Sequence, residues 1–263
     1  MLTQIQTFFY RKICRGKFLF PPKILSGKHF PDAYYSGLSF AGTVLQNFCF
    51  ARRDLRYADF RNADLRGADF RNADLRYAFM EKADLRNTDL SRADLGDAFL
   101  QKADMAGANL WQSNLRSATL TDADLRDADL SEAVLCSANL ENARLQRAVL
   151  AEAHLENCFA SGADFTQANL REAFLRNACL RNACFTHANF EQADLYRADL
   201  ENAVLRGADF WRACLNRADM TAANLQDAIF ISADLQAAVL WKADLKRADF
   251  TYADLSLALL PMP

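Results

Sequence analysis

Histidine and glycine are scarce in this sequence, which has 3 histidines and 9 glycines among 263 residues. The histidines are His29, His154 and His187, and no Ser–His–acid or Cys–His arrangement with an orienting group can be assembled around them. The glycines form no loop of the kind that cradles a phosphate. We therefore predict a protein that is not an enzyme and that binds no cofactor and no metal.

Cysteine is present in an odd number and without the spacing of zinc ligands. The 7 cysteines are Cys14, Cys49, Cys136, Cys158, Cys179, Cys184 and Cys214. This pattern argues against a disulfide framework and favours reduced thiols in a cytoplasmic protein. A run of roughly 20 apolar residues, as a membrane span would need, is also lacking. Charge is nearly balanced, with 31 basic and 33 acidic residues. The length of the chain fits one long domain with a short additional segment.

What the sequence has instead is a period of five residues. The stretch RNADLRGADFRNADLRYA, residues 61–78, repeats Ala-Asp followed by Leu or Phe. A five-residue step turns an α-helix by roughly 140°, which would spread the large residues around its whole circumference. In a flat strand an odd period would place them alternately on opposite faces. A chain that turns a corner every five residues points all of them at a common axis, so the period predicts a solenoid.

The large apolar residue falls on every multiple of five from Phe40 to Leu260, except at Ala160, with no insertion or deletion. Two positions earlier stands a small residue, nearly always Ala. Both are expected to point inward, where the large side chain fills the axis and the small one lets the backbone pass closely at the corner. The other three positions are expected to face water, and the frequent Asn and Gly among them suit a turn with positive φ.

The positions of phenylalanine indicate how many sides a coil has. If four five-residue sides make one coil, residues twenty apart are stacked and the inward residues sort into four columns. The column from Leu55 to Leu255 contains no phenylalanine, whereas a second column contains Phe50, Phe70, Phe190, Phe210, Phe230 and Phe250. Sorting by fifteen, as a three-sided coil requires, spreads the phenylalanines evenly. The sequence therefore favours a four-sided coil.

The repeats ADLRG, ADFRN, ADLRD and ANLEN resemble the pentapeptide repeat family, whose consensus is Ala, then Asp or Asn, then Leu, followed by two variable residues. The resemblance covers about residues 40–260. It implies an all-β solenoid, a right-handed quadrilateral β-helix of about eleven coils, which at roughly 4.8 Å per coil is a rod of about 50 Å. We assign residues 1–35 to a partly helical N-terminal cap, residues 36–260 to the β-helix and residues 261–263 to a C-terminal tail.

The N-terminal segment is basic and has apolar residues, such as Leu2, Ile5 and Phe9, at helical spacing. It contains no acidic residue before Asp32. An open solenoid end exposes apolar side chains and unpaired backbone groups, so we expect this segment to cover that end. The alternative is a membrane-surface anchor or a targeting peptide.

At the other end, the last repeat runs directly into SLALLPMP. Because an uncovered coil invites pairing, we expect two molecules to meet through their C-terminal coils as a homodimer. Outward apolar residues in this region support that expectation. The candidate dimer interface comprises Trp211, Ile229, Ile231, Val239, Trp241, Tyr252 and Leu260.

A second candidate surface lies in the first half of the chain, where arginine and aromatic residues recur twenty apart. This candidate interaction surface comprises Arg56, Tyr57, Arg76, Tyr77, Phe79 and Phe99. An arginine–aromatic ladder is suited to phosphates and bases, but the neighbouring aspartates would repel phosphate. We therefore consider nucleic acid a poor partner, and Phe79 and Phe99 either a protein contact or inert packing.

Three functions stay open on the sequence alone. Some pentapeptide repeat proteins mimic DNA and bind type II topoisomerases such as gyrase, which needs a strongly negative surface. Here residues 1–92 sum to about +7 and residues 93–263 to about −9, and arginine follows aspartate along much of the first half. The sequence therefore favours a rigid rod for protein–protein interaction or scaffolding with an unknown partner. The alternatives are a DNA mimic and a membrane-surface rod anchored by its basic N-terminus.

One inward position breaks the pattern. In ENCFASGADF, Ala160 occupies the site of a large residue, and Cys158 replaces the small alanine. We expect a local bulge in which Phe159 or Cys158 helps to fill the gap. The alternative is a binding notch.

Removal of residues 1–25 tests the predicted cap. We expect the shortened chain to have a lower Tm and a lower solubility than the full chain, because the open end of the coil would lose its cover. Thermal unfolding followed by circular dichroism, together with the soluble yield, measures both. An unchanged Tm and solubility would contradict the cap.

Overall fold

Parallel bridges between residues twenty apart define the fold. The structure is a computed structural model that describes residues 35–261. Each bridge joins a residue to the one twenty positions later, from Ser39↔Asp59 at one end to Val239↔Leu259 at the other. Twenty residues therefore form one coil, and because a bridge residue recurs every five residues, each coil has four sides. This agrees with the four-sided coil inferred from the phenylalanine columns.

Each five-residue unit is a two-residue turn followed by a three-residue extended segment with one bridge residue at its centre, as in turn 51–52 and bridge residue Asp54. The pattern runs without interruption from turn 36–37 to bridge residue Leu259. Residues 35–261 contain no helix and no strand longer than a single bridge residue, because the chain reaches a corner before a second residue can pair. The described residues therefore include no helix with the length and hydrophobicity of a membrane span. The helical cap predicted for residues 1–35 lies outside the described residues except for Tyr35, and the right-handed sense of the coil stays a prediction.

The outward bridge residues form four faces. Face 1 begins with Ser39, face 2 with Val44, face 3 with Cys49 and face 4 with Asp54, and each face continues with every twentieth residue. Faces 1 and 3 are two corners apart and therefore lie on opposite sides of the coil, as do faces 2 and 4. A corner is named by the two faces that it joins, so that corner 4–1 leads from face 4 to face 1 of the next coil.

Every corner has the same backbone conformation. Its second residue has positive φ at each fifth position from Gly37 to Leu257. The N–H of the next residue donates to the carbonyl three residues earlier, as Ala58 does to Leu55 at 3.0 Å. A hydrogen-bonded turn with positive φ at its third residue is a type II turn, which favours Gly or Asn at that residue. The turn predicted from Asn and Gly is confirmed, although other residues adopt it too, such as Glu132 with φ 57°.

Inward side chains fill the centre of the coil. The large residues at multiples of five from Phe40 to Leu240 are at most 2% exposed, and the small residues two positions earlier are buried from Ala58 to Ala243. Phenylalanines of one column stack with parallel rings, for example Phe210 on Phe230 with 4.9 Å between centroids. The two ends differ, because the large inward side chains of the first described coil, such as Phe40, are buried, whereas Leu260 in the last coil is 52% exposed.

The register passes through Ala160 without a bulge. Phe159 bridges Asn139 and Cys179, and the Ala160 N–H donates to the Cys179 carbonyl at 2.8 Å. Phe159 points outward, whereas Cys158 is buried. The predicted bulge is therefore wrong, and of the two candidates only Cys158 is placed to fill space beside the alanine. Burial raises the pKa of its thiol to about 12, so it stays protonated.

The substitution Ala160→Leu tests whether this position is underpacked. We expect the free energy of unfolding to rise by about 1–2 kcal/mol, because the coils on either side carry Leu140 and Leu180 at this site. Denaturant unfolding measures the change. Leu140→Ala is the matched control in the same column and should lower the stability by about 2–5 kcal/mol. A loss of stability in Ala160→Leu would instead show that Cys158 already fills the site.

Candidate interaction surface

The usual face residue is an Asp or Asn that completes the hydrogen bonds of its own repeat. Four of the five N–H groups in a repeat donate to backbone carbonyls. The fifth belongs to the residue two positions after the face residue, and it donates to the face side chain, as the Arg56 N–H does to Asp54 Oδ1 at 3.2 Å. The Trp111 N–H donates to Asn109 in the same way. The recurring carboxylates therefore serve the local backbone, as predicted from the repeat.

Arginines in the first half of the rod fold back onto these aspartates. Both Nε and Nη2 of Arg66 donate to Asp64, at 2.8 and 2.7 Å, and Nε lies 3.4 Å from Asp84 in the next coil. The same two-pronged pair with the preceding aspartate is made by Arg56, Arg61, Arg71, Arg76, Arg86 and Arg126. Because each guanidinium is already bound, a phosphate would have to displace a charge-assisted pair. The two arginines of the candidate interaction surface are thus poor phosphate ligands.

These pairs lower the pKa of the aspartates. The hydrogen bond from Arg66, opposed by desolvation and assisted by Gln46, lowers the pKa of Asp64 from its ordinary 3.8 to about 2. The pKa values of Asp59, Asp69 and Asp84 are lowered chiefly by the hydrogen bonds from their own arginines. The first half of the rod therefore keeps paired, neutralised charges down to acid pH.

The six residues of the candidate interaction surface lie together at corner 4–1 and on the adjoining face 1. Tyr57 and Tyr77 stack with ring centroids 5.0 Å apart, and Phe79 and Phe99 stack at 5.2 Å. The arginine before each tyrosine is turned to its aspartate. The part of this surface that is free for contacts is therefore aromatic and not cationic.

Face 1 also carries a longer uncharged surface that sequence reasoning missed. Its outward residues have no charge between Asp59 and Asp199. We call these six residues the face-1 strip: Phe79, Phe99, Thr119, Asn139, Phe159 and Cys179. A phenylalanine ring cannot accept the hydrogen bond that Asp or Asn makes at this position, so the aromatic members give up a local backbone contact. Reading every twentieth residue of the sequence, instead of every fifth, would have found the strip.

The residues predicted for the dimer interface form two groups on opposite sides of the rod. One group, on face 3 and corner 3–4, consists of Trp211, Ile229, Ile231 and Tyr252. The other, on face 1 and corner 1–2, consists of Val239 and Trp241. Leu260 is an inward residue of the last coil. These residues therefore do not make one side patch, and dimerisation through the C-terminal coils stays a prediction.

The histidines and cysteines are dispersed. His154 on face 4 stacks on Phe174 at 4.7 Å and lies 3.2 Å from Glu156, whereas His187 covers Gly207 at corner 2–3. His29 lies outside the described residues. In the described range, six cysteines are free, and no group of three or more His, Cys, Asp or Glu is arranged to hold a metal ion.

A comparison with models of known protein families identifies the family of these repeats. The family model for pentapeptide repeats matches in 8 copies, over residues 54–92, 83–122, 113–150, 148–186, 183–221 and 228–260. The matched segments cover more than half of the chain. The chain belongs to the pentapeptide repeat family.

Solved structures similar to this pentapeptide repeat protein include HetL from the cyanobacterium Nostoc sp. strain PCC 7120, which is involved in heterocyst differentiation regulation. HetL is 34% identical, with 84% of this chain and 88% of HetL covered and a TM-score of 0.35. A trypsin-treated form of QnrB1, a plasmid-mediated fluoroquinolone resistance protein, is 23% identical, with coverages of 60% and 80% and a TM-score of 0.57. A pentapeptide repeat protein from the Arabidopsis thaliana thylakoid lumen is 31% identical, with coverages of 44% and 77% and a TM-score of 0.37. A comparison with curated proteins gave no match.

The arginine–aspartate pairs of this pentapeptide repeat protein predict a defined pH dependence. Since the folded-state pKa of Asp64 lies below its unfolded value, its pair stabilises the fold above about pH 4 and is lost as the pH falls towards about 2. Arg66→Gln should raise the pKa of Asp64 towards its ordinary value, because the main cause of the shift is removed. Titration of the Asp64 carboxyl carbon by NMR measures the pKa.

The matched control is Arg116→Gln, since Arg116 follows Asn114 and its N–H donates to that amide and not to a carboxylate. This variant should leave the Asp64 titration unchanged. An Asp64 pKa that stayed near 2 in Arg66→Gln would assign the shift to the backbone and Gln46 hydrogen bonds instead.

Proposed function

We propose that this protein is a non-enzymatic rigid rod that binds another protein through the face-1 strip. The observation that carries the proposal is the run of uncharged outward residues over six consecutive coils, three of them phenylalanines. Aromatic residues are enriched and charged residues depleted in the cores of protein interfaces. Five coil steps of roughly 4.8 Å make the strip about 24 Å long, which is enough for a specific contact.

The filled centre of the coil confines recognition to the outer surface. Its large inward side chains are buried from Phe40 to Leu240, and hydrogen bonds join every coil to the next. A surface that is already ordered loses little conformational entropy when it binds. Proteins of this family are generally structural or interaction proteins, which supports a scaffold and not a catalyst.

A DNA mimic is the alternative function, and the charge distribution weighs against it. QnrB1 acts in fluoroquinolone resistance, but the likeness to it supports the fold alone. A DNA mimic needs a strongly negative surface, whereas the aspartates of the first half are neutralised by arginines. Such a function would have to rely on the second half, for example on the glutamates stacked at corner 3–4: Glu132, Glu152 and Glu172.

Two further proposals concern the ends of the rod. Buried inward residues in the first described coil, such as Phe40, support an N-terminal segment that covers this end, with a membrane-surface anchor as the alternative role of its basic residues. Partly exposed inward residues in the last coil, such as Phe250, support pairing of two copies through their C-terminal coils. The free cysteines fit the cytoplasmic location that we propose.

The double substitution Phe99→Asn with Phe159→Asn tests the face-1 strip. Asparagine can accept the local N–H bond that phenylalanine cannot, so the fold should be kept or slightly stabilised. The change removes two apolar rings from the strip, so we expect about tenfold less partner to be recovered. Crosslinking capture from native cell extract, followed by mass spectrometry, compares the variant with the unaltered chain.

Phe174→Asn is the matched control, because it makes the same change on face 4, away from the strip. This variant should recover the partner as the unaltered chain does. Equal recovery by the double variant would contradict the role of the strip. Type II topoisomerase subunits captured equally by all three proteins would favour the DNA mimic.

A further inference from the structure

We propose that the protein bound by the face-1 strip is a second copy of this chain, lying side by side with the first and running in the opposite direction. The inference rests on the proposed function of the strip and names its partner. The two copies would be related by a two-fold axis that passes between Thr119 and Asn139, the midpoint of the strip. A residue on one side of the midpoint in one copy then faces the residue that lies at the same distance on the other side of the midpoint in the second copy.

The apolar residues of the strip match each other under this axis. Phe99 and Phe159 are equally far from the midpoint, so each meets the other and the contact occurs twice in the dimer. Phe79 likewise meets Cys179. Phe159 is 52% exposed in the single chain, and burying aromatic rings against each other is favourable beyond the area that they cover.

Charged residues along corner 1–2, which borders the strip, are complementary in the same arrangement. Arg61 faces Glu201, and Glu81 faces Arg181, at equal distances from the midpoint. Arg181 also pairs with Glu201 in its own chain at 2.7 Å, so the four side chains would form one network across the two copies. In a parallel pair the two-fold axis would run along the rods, so corner 1–2 would lie against corner 4–1 of the other copy and neither of these opposite-charge pairs would form. The two pairs therefore favour the antiparallel arrangement.

Corner 4–1, on the other side of the strip, adds a cation opposite an aromatic ring. Tyr57 is exposed there and faces Arg197, whose guanidinium lies 5.2 Å from the ring of Tyr196 in its own chain. A guanidinium is attracted to the face of an exposed tyrosine. Arg76 and Arg176 also face each other at this border, but each is bound to an aspartate of its own chain, which limits their repulsion. Both borders of the strip therefore carry pairs that attract between antiparallel copies.

Asp59 and Asp199 are the charged residues of face 1 nearest to the two ends of the strip. In the antiparallel pair, Asp59 of one copy lies opposite Asp199 of the other. Asp59 accepts from Arg61 at 2.8 Å, and Asp199 accepts from Arg181 at 2.5 Å. Each carboxylate is thus neutralised within its own chain, which limits the repulsion between them. Their positions set the length of the interface.

The available area fits a reversible dimer. Seven coil steps from Asp59 to Asp199 span about 34 Å, and a face with its corners is about 15 Å wide, so the pair would bury on the order of 1,000 Å² in total. This is near the lower limit for a specific interface. We therefore expect a dimer that forms at micromolar concentrations and not an obligate one.

Sedimentation equilibrium over a concentration series tests the proposal with a charge swap. Glu81→Arg brings a second cation against Arg181 and should raise the dimer Kd at least about tenfold. Adding Arg181→Glu restores an opposite-charge pair and should return the Kd to within about threefold of the original. Glu152→Arg makes the same charge change at corner 3–4 and should leave the Kd unaltered, with thermal unfolding as the check that all variants are folded.

A chain that stays monomeric throughout the series would overturn the proposal. So would a dimer that is indifferent to Glu81→Arg and to Phe99→Asn with Phe159→Asn but is lost in Leu260→Asp, because the copies would then meet through their C-terminal coils. The homodimer and the protein-binding role of the face-1 strip are tested separately by these measurements. A monomer whose capture of another protein still depends on Phe99 and Phe159 would leave the proposed function of the strip intact, whereas capture independent of both residues would remove that function as well.

Discussion

The hydrogen bonds between successive coils are the constraint on which the whole structure depends. Within each repeat, backbone N–H groups donate to carbonyls nineteen or twenty-one residues away, or across the corner to a carbonyl three residues earlier. An added or missing residue would leave donors and acceptors of every following coil out of step, and unpaired buried backbone groups are costly. This explains why the five-residue pattern continues from turn 36–37 to Leu259 without an insertion. It also explains how the chain holds its register across Ala160, where an inward side chain is nearly missing.

Because the centre and the corners are fixed in this way, variation is confined to the outward residues. Aspartate is the default there, since its carboxylate accepts the one N–H in each repeat that has no carbonyl partner. A phenylalanine at the same position forgoes that bond and exposes an apolar ring. An outward residue that gives up this local hydrogen bond without a local gain marks a place where function is expected. On face 1, five of the six residues of the strip depart from Asp or Asn in this way.

The charges of this rod act mainly within the chain. Arginine and aspartate pair inside a repeat and again with the next coil, so that the described rod presents few unpaired cations between Arg56 and Arg86. Recognition by a long electrostatic field is therefore less suited to this surface than recognition by shape and by a few charges at defined positions. The uncharged strip with charged borders on face 1 provides that combination.

The sequence by itself determined the features that depend on residues within one repeat or on a strict count along the chain. These include the period of five, the inward side chains such as Leu65, the positive φ at Asn62 and Gly67, and the bonding role of Asp54. The phenylalanine columns also indicated four sides per coil, but the bridges between residues twenty apart, and hence which outward residues share one side, were established by the tertiary structure. Trp211 and Trp241 looked like one apolar region but lie on opposite sides of the rod, and Phe79 and Cys179 belong to one surface although 100 positions separate them in the chain. The physical reason is that stacking, and not chain proximity, makes neighbours of residues twenty apart, and the outward direction of each side chain is set by the corner that precedes it.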